Sequence, residues 1–200
     1  KIKDLINSNG IDCEIINHNK SQHKEKIAAE NNEETFGNLS SLLKCFEIAK
    51  KEQSDLIYFV EDDYLHYDHS LVDMLDTYER ISSQHKDEII VCPSDYPFNY
   101  MTNEKTNILI GSRQHWRIIT KMLCTFMISK KTFQKHINNF EKTCEKRHDP
   151  FEKYLNEILQ KEVAISPINS LAIHLTNVNS SYGLSPFVDY KKLWEENKVG

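Results

Sequence analysis

LIYFVEDDYLHYDH, residues 56–69, decides how this chain is read. It opens as an apolar run, Leu56 to Val60, and ends in Glu61, Asp62, Asp63, His66, Asp68 and His69. A short unbroken apolar run suits a strand covered on both faces, as in a parallel sheet with helices above and below. Three adjacent carboxylates repel one another, so their place at the end of such a strand asks for a cause. In open α/β sheets, ligands bind at the carboxyl ends of the strands. Side chains alternate along a strand, so Glu61 and Asp63 share one side and Asp62 points elsewhere. Carboxylates held this close favour a cation, and hard oxygen ligands suit Mg²⁺ or Mn²⁺ shared with substrate phosphates. The plainer alternative is a solvated strand end, or acids that cap the next helix.

Outward from this stretch the pattern is α/β. Ile2, Leu5 and Ile6 place a helix over residues 1–9, stopped by Gly10. IDCEII (11–16) reads as a strand and residues 17–34 as a polar loop. From Asn38, the spacing of Leu39, Leu42, Leu43, Phe46 and Ala49 is helical, as is that of Leu71, Met74, Leu75, Tyr78 and Ile81. EIIVCP (88–93), NILIGS (107–112), MLCTFMIS (122–129) and VAISP (163–167) read as strands. KTFQKHINNF (131–140) reads as one helix, and HDPFEKYLNEILQK (148–161) as another. The second carries a start signal: Asp149 as N-cap, Pro150 at N1 and Glu152 at N3. Alternating helices and strands predict a layered α/β domain with a mixed sheet flanked by helices. One catalytic domain is expected over residues 1–200.

Composition narrows the function. The chain is 39% hydrophobic and 28% charged, ordinary globular usage. A net charge of −5 gives no basic footprint for nucleic acid. No apolar run approaches the roughly 20 residues of a transmembrane segment. Five cysteines without a CxxC pair read as reduced, buried thiols of a cytoplasmic protein, not as a disulfide frame or zinc site.

FVEDDYL resembles the metal-binding acidic motif (DxD type, here Glu-Asp-Asp) of GT-A glycosyltransferases, and of inverting members in particular. GSRQHWRIITKMLCTFMISKKTF (111–133) and HLTNVNSSYGLSPFVDYKKLW (174–194) resemble later blocks of a bacterial and viral family-2-like group. The likeness spans roughly residues 35–195. It implies a Rossmann-like GT-A fold, with about 1–105 on the nucleotide-sugar side and about 106–200 on the acceptor side. It implies a nucleotide-diphosphate sugar donor and a glycan or glycolipid acceptor. It implies that Asp63 coordinates the metal while Glu61 and Asp62 hold the ribose or the metal's waters. The family usually opens with a strand and donor-binding loop, whereas this chain starts at the helix that follows.

Other residues have two readings each. Asp149 resembles the catalytic base that inverting members place at an acceptor-side helix N-terminus. It is equally good as a simple N-cap, and Glu152 is the alternative base. His174, after an apolar run, either completes the metal shell, as late histidines do in GT-A enzymes, or is a core histidine. Arg113 and Arg117 can pair with diphosphate oxygens, and Trp116 can offer a sugar a stacking face; a surface loop is the other reading of these residues. Asp95 suits either donor or acceptor hydroxyls or plain turn chemistry. His66, Asp68 and His69 read as helix-entry residues, with Asp68 near the N-cap. Three rivals to the transferase are a nucleotidyltransferase, a helical HD-type phosphohydrolase prompted by His148-Asp149, and a non-catalytic carbohydrate-binding domain. The first lacks a Gly-rich phosphate loop among only five glycines, and the strands argue against the second.

Overall fold

The computed structural model describes residues 10, 12–27, 30–101, 103–179 and 183–198. Its strands are β1 (Leu56–Phe59), β2 (Tyr64–His66), β3 (Ile89–Val91), β4 (Ile108–Ile110), β5 (His115–Ile119), β6 (Phe126–Ser129), β7 (Val163–Pro167) and β8 (Ala172–His174). Its α-helices are α1 (Glu33–Ala49), α2 (Ser70–His85), α3 (Lys130–Lys135), α4 (Ile137–Thr143), α5 (Lys153–Ile158) and α6 (Tyr190–Glu196). Six strands form one mixed sheet in the order β1-β6-β3-β7-β5-β4, and β2 pairs with β8 in a separate ribbon.

The two-sided apolar pattern of the strands is what the sheet buries. Ile57, Phe59, Ile90, Phe126, Ile128 and Ala164 face a core with α1, α3, α4 and α5, centred on Phe46, Phe133 and Phe140. The alternate residues Leu56, Tyr58, Ile89, Val91, Met127 and Ile165 face Met74 and Ile81 of α2. One residue separates the two sets along every strand, as period-2 alternation requires.

The expected helix over 1–9 lies outside the described residues. The strand expected at 11–16 is absent over 12–16, where Ile15 and Ile16 are exposed. Among the described residues no strand pairs with it, and an unpaired strand has no ladder to hold it. The polar loop contains a short 3₁₀ turn at Lys20–His23. Helix α1 starts earlier than its apolar spacing indicates, because Asn32 caps it by accepting from the Thr35 amide at 2.9 Å. The helix expected over 131–140 is two helices, broken at His136, whose backbone leaves the helical region and whose ring bonds Glu162 at 2.5 Å. The helix of 148–161 begins at Lys153, with Glu152 rather than Asp149 at the N-cap. A backbone bond from the Lys153 amide to the Pro150 carbonyl closes a turn there, and the helix waits until it ends. His66 belongs to β2 rather than to the helix entry, while His69 is the N-cap of α2 and Asp68 stands next to it, as expected. Three strands escaped the sequence pattern: β2, β5 and β8.

Strand directions place the site. β1 and β3 both run antiparallel to β6, so they are parallel to each other without touching. The parallel neighbour expected for β1 is therefore replaced by an antiparallel one. β7 runs with β3. The carboxyl ends of β1, β3 and β7 thus share one edge of the sheet with the start of β6. No described helix is long and apolar enough to cross a membrane.

Candidate functional site

Val60 to Asp63 leave β1 at this edge and turn directly into the β2–β8 ribbon. The Glu61 amide donates to Thr125 Oγ1 at 3.0 Å, just ahead of β6, which fixes where its side chain starts. Asp63 is placed by the ribbon. Its carbonyl accepts from the Leu175 amide at 2.9 Å, and the next residue, Tyr64, pairs with His174 across the two strands. The Tyr64 and His174 rings stack at 4.8 Å and 10°. That stacking aims His174 Nε2 at Asp63 Oδ2, 2.7 Å away. Thr176 Oγ1 lies 3.2 Å from the same nitrogen. A residue of the middle of the chain and one from its end are thus brought into contact.

Glu152 joins them from the turn before α5. Its charge raises the pKa of Glu61, and its own carboxylate feels His174, so the three groups stand within electrostatic reach. Burial pushes the Glu61 carboxyl up to about 7, and the charges of Asp63, Glu152 and Asp62 add to that against a hydrogen bond from Thr125. Burial also raises Glu152, opposed by its own backbone N–H and by His174. The corner therefore gathers four carboxylates, Glu61, Asp62, Asp63 and Glu152, against one imidazole. Asp62 is exposed and acts on Glu61 less than Asp63 and Glu152 do. A cavity of about 370 Å³ opens here, walled by Asn38, Ser41, Cys45, Glu61, Asp63 and Phe151.

Asp149 is exposed and does not line this cavity. Pro150 lines a different, wider groove of about 750 Å³ along α5 with Lys121, Lys153 and Asn156. Phe151, between Pro150 and Glu152, lines the acidic cavity instead. Of the two candidate bases, the fold brings Glu152 to Glu61 and His174.

The remaining predicted residues form a second corner. Asp95 follows β3, and its side chain is buried without exposed surface. Asp95 Oδ2 accepts from Tyr100 Oη at 2.5 Å and Ser185 Oγ at 2.6 Å, and Oδ1 faces Arg117 Nη2 at 3.3 Å. Arg117 also donates to Tyr100 Oη and lies over its ring, 4.3 Å from the centroid. Burial raises the Asp95 pKa, and Ser185, Tyr100 and Arg117 pull it back. The HWR segment is strand β5 rather than a loop. Trp116 is wholly buried beneath Gly111, where an added Cβ would lie 2.3 Å from Trp116 Nε1, so it offers no face to a sugar. Arg113, in the β4–β5 turn, faces Asp76 at 3.5 Å. β5 lies four strands from β1, about 19 Å at ~4.8 Å per strand.

Cys92, Cys124 and Cys144 are buried as expected, but Cys45 is exposed in the wall of the acidic cavity. Its place on α1 next to buried Phe46 turns it outward. The His148-Asp149 pair builds no HD-type site: His148 Nε2 donates to the Lys142 carbonyl at 3.0 Å, and the domain is a six-stranded sheet. Among the described residues, no three His, Cys, Asp or Glu side chains converge into a ready-made cation site. No known protein family and no curated protein matches the chain by sequence.

Proposed function

We propose that the chain is a metal-dependent glycosyltransferase, inverting at the anomeric carbon, that moves a sugar from a nucleotide-diphosphate donor to a glycan or lipid-linked acceptor. The observation that carries this is the gathering of Glu61, Asp63, Glu152 and His174 at the carboxyl end of β1 beside an open cavity. A sheet edge of this kind is where α/β proteins bind nucleotides. The donor set fits a hard divalent cation: carboxylate oxygens with one imidazole, and an excess of crowded carboxylates that a cation relieves. Asp63, Glu61 and His174 are the groups that would hold Mn²⁺ or Mg²⁺. When bound, such an ion offsets the charge on a leaving diphosphate.

The chain's own groups do the rest. Burial raises the Glu152 carboxyl above its ordinary value, which makes it a stronger base than a free carboxylate. It accepts the proton of the acceptor hydroxyl as that oxygen bonds to the anomeric carbon and the bond to the diphosphate oxygen breaks. The nucleoside diphosphate departs with the electron pair. Thr125 and Tyr64 keep Glu61 and His174 in place. Asp95 and Arg117, ion-paired with each other, brace the neighbouring strand end rather than meeting phosphate.

Calorimetry with UDP, GDP and dTDP, each with Mn²⁺ and with EDTA, tests this on the wild type and on Asp63→Ala. Metal-dependent binding of one nucleotide, weakened at least 100-fold in the variant, is the expected result. Binding of none, by folded protein, would remove the donor site and bring forward a non-catalytic domain.

A further inference from the structure

The last helix turns its aromatic side chains to water. Leu193 is fully buried, and Asn197 Nδ2 donates to the His66 carbonyl at 3.0 Å, so α6 is fixed against β2. Trp194 nevertheless keeps 47% of its surface exposed, and Tyr190, four residues earlier on the same helical face, keeps 36%. Between these rings and Leu175, Val178 and Asn179 runs a groove of about 490 Å³. Phe187, on the approach to α6, has φ of +68° and a ring that is 95% exposed. A bulky residue in the left-handed region is strained, and here the ring gains no burial in return.

The inner wall of the groove is part of the acidic corner. Leu175 follows His174 directly, and its amide is the one that bonds the Asp63 carbonyl. The side chain of Leu175 faces the groove while its backbone holds the corner.

The lining has the chemistry of sugar recognition. Flat aromatic faces pack on the C–H faces of a pyranose, and an amide, an ammonium and a carboxylate at the rim, Asn179, Lys191 and Glu195, can meet hydroxyls. Size points the same way. Seven residues line the groove, whereas a stable protein interface takes about 20–30 residues a side. A volume of about 490 Å³ lies within the roughly 300–1,000 Å³ of small-ligand pockets.

We propose that Tyr190 and Trp194 form a stacking platform for a pyranose ring of the acceptor, beside the Asp63–His174 pair. This rests on the transferase reading above, which makes the bound sugar an acceptor. Trp116 is buried, so a ligand-induced change in tryptophan emission reports Trp194. The full chain, in EDTA and without nucleotide, is titrated to 50 mM with the methyl glycosides of glucose, galactose, mannose, N-acetylglucosamine and rhamnose. At least one should shift the emission saturably. Tyr190→Ala should weaken that binding at least tenfold, and Trp194→Ala should abolish the saturation-transfer NMR signal of the same glycoside. No response to any glycoside overturns the proposal. So does a dimer that buries Trp194 in sedimentation, or a blue shift on phosphatidylglycerol vesicles without a sugar response. Since neither metal nor nucleotide is present, the result is independent of the donor site. Sugar binding with no metal-dependent nucleotide binding would remove the transferase reading and keep the platform.

Discussion

Two carboxylate corners stand at the same edge of the sheet and are built in opposite ways. After β3, Asp95 meets a guanidinium, a phenol and a serine hydroxyl, and its charge is matched one to one. After β1, four carboxylates share one imidazole, and three of them, Glu61, Asp62 and Asp63, line an open cavity. Burial raises Glu61 and Glu152 in one corner and Asp95 in the other. What differs is whether the chain supplies the counter-charge itself. A protein built for stability alone would pair Glu61 as it pairs Asp95, since an unmatched buried charge is costly. The unmatched corner is therefore the place to look for a ligand.

The sharpest way to break this contrast is at the base. Glu152→Gln should lower turnover by about 10²–10⁴-fold while leaving nucleotide affinity unchanged, the usual loss for a general base. Asp149→Asn should stay within about twofold, because its side chain is outside the cleft. Steady-state rates on both variants decide it, and the reverse ranking would return the base to Asp149.

The matched corner predicts a stability effect instead. Arg117→Met leaves the Asp95 carboxylate buried without its cation and should cost about 3 kcal/mol in urea unfolding. A loss below about 1 kcal/mol would mean that Tyr100 and Ser185 hold Asp95 unaided.

The smallest effect concerns pH. The Glu61 carboxyl titrates near 7 in the folded chain against an ordinary 4.5. Below the ordinary value both states are protonated and burial costs nothing. As pH rises from 4.5 to 7 the unfolded state ionises first, so the penalty grows, and above 7 it is constant. Without added metal, Glu61→Gln should therefore unfold like the wild type at pH 4 and be about 1–2 kcal/mol more stable at pH 8. An equal difference at both values would show that Glu61 is not the burdened group.

The apolar strands were legible because each is a short hydrophobic run, whether at the edge of the sheet or in its middle. LIYF at β1 and IIV at β3 are of this kind. The segment HWRII was not, because its buried Trp116 and half-buried Arg117 alternate with exposed His115 and mimic a polar loop. The acids of β1 stood out by adjacency, and His174 by its place after an apolar run. The choice between Asp149 and Glu152 was not open to spacing, since both fit a helix start and only the turn at Pro150–Lys153 separates them. The Arg117–Asp95 pair also escaped. Its partners are 22 positions apart, Arg117 on β5 and Asp95 in the segment after β3, and sequence distance says nothing of such a contact. The aromatic residues near the end of the chain were visible as composition, but only the burial of Leu193 shows which of them are left in water.

The most direct measurement is a Mn²⁺ titration, followed by electron paramagnetic resonance of the free ion, on the wild type, Asp63→Ala and Asp95→Asn. Asparagine can still accept from Tyr100 and Ser185, and circular dichroism checks that the variant is folded. The wild type and Asp95→Asn should bind one ion alike, and Asp63→Ala should lose it. Binding that survives Asp63→Ala, or that disappears in a folded Asp95→Asn, would contradict the assignment of the cation to the β1 corner.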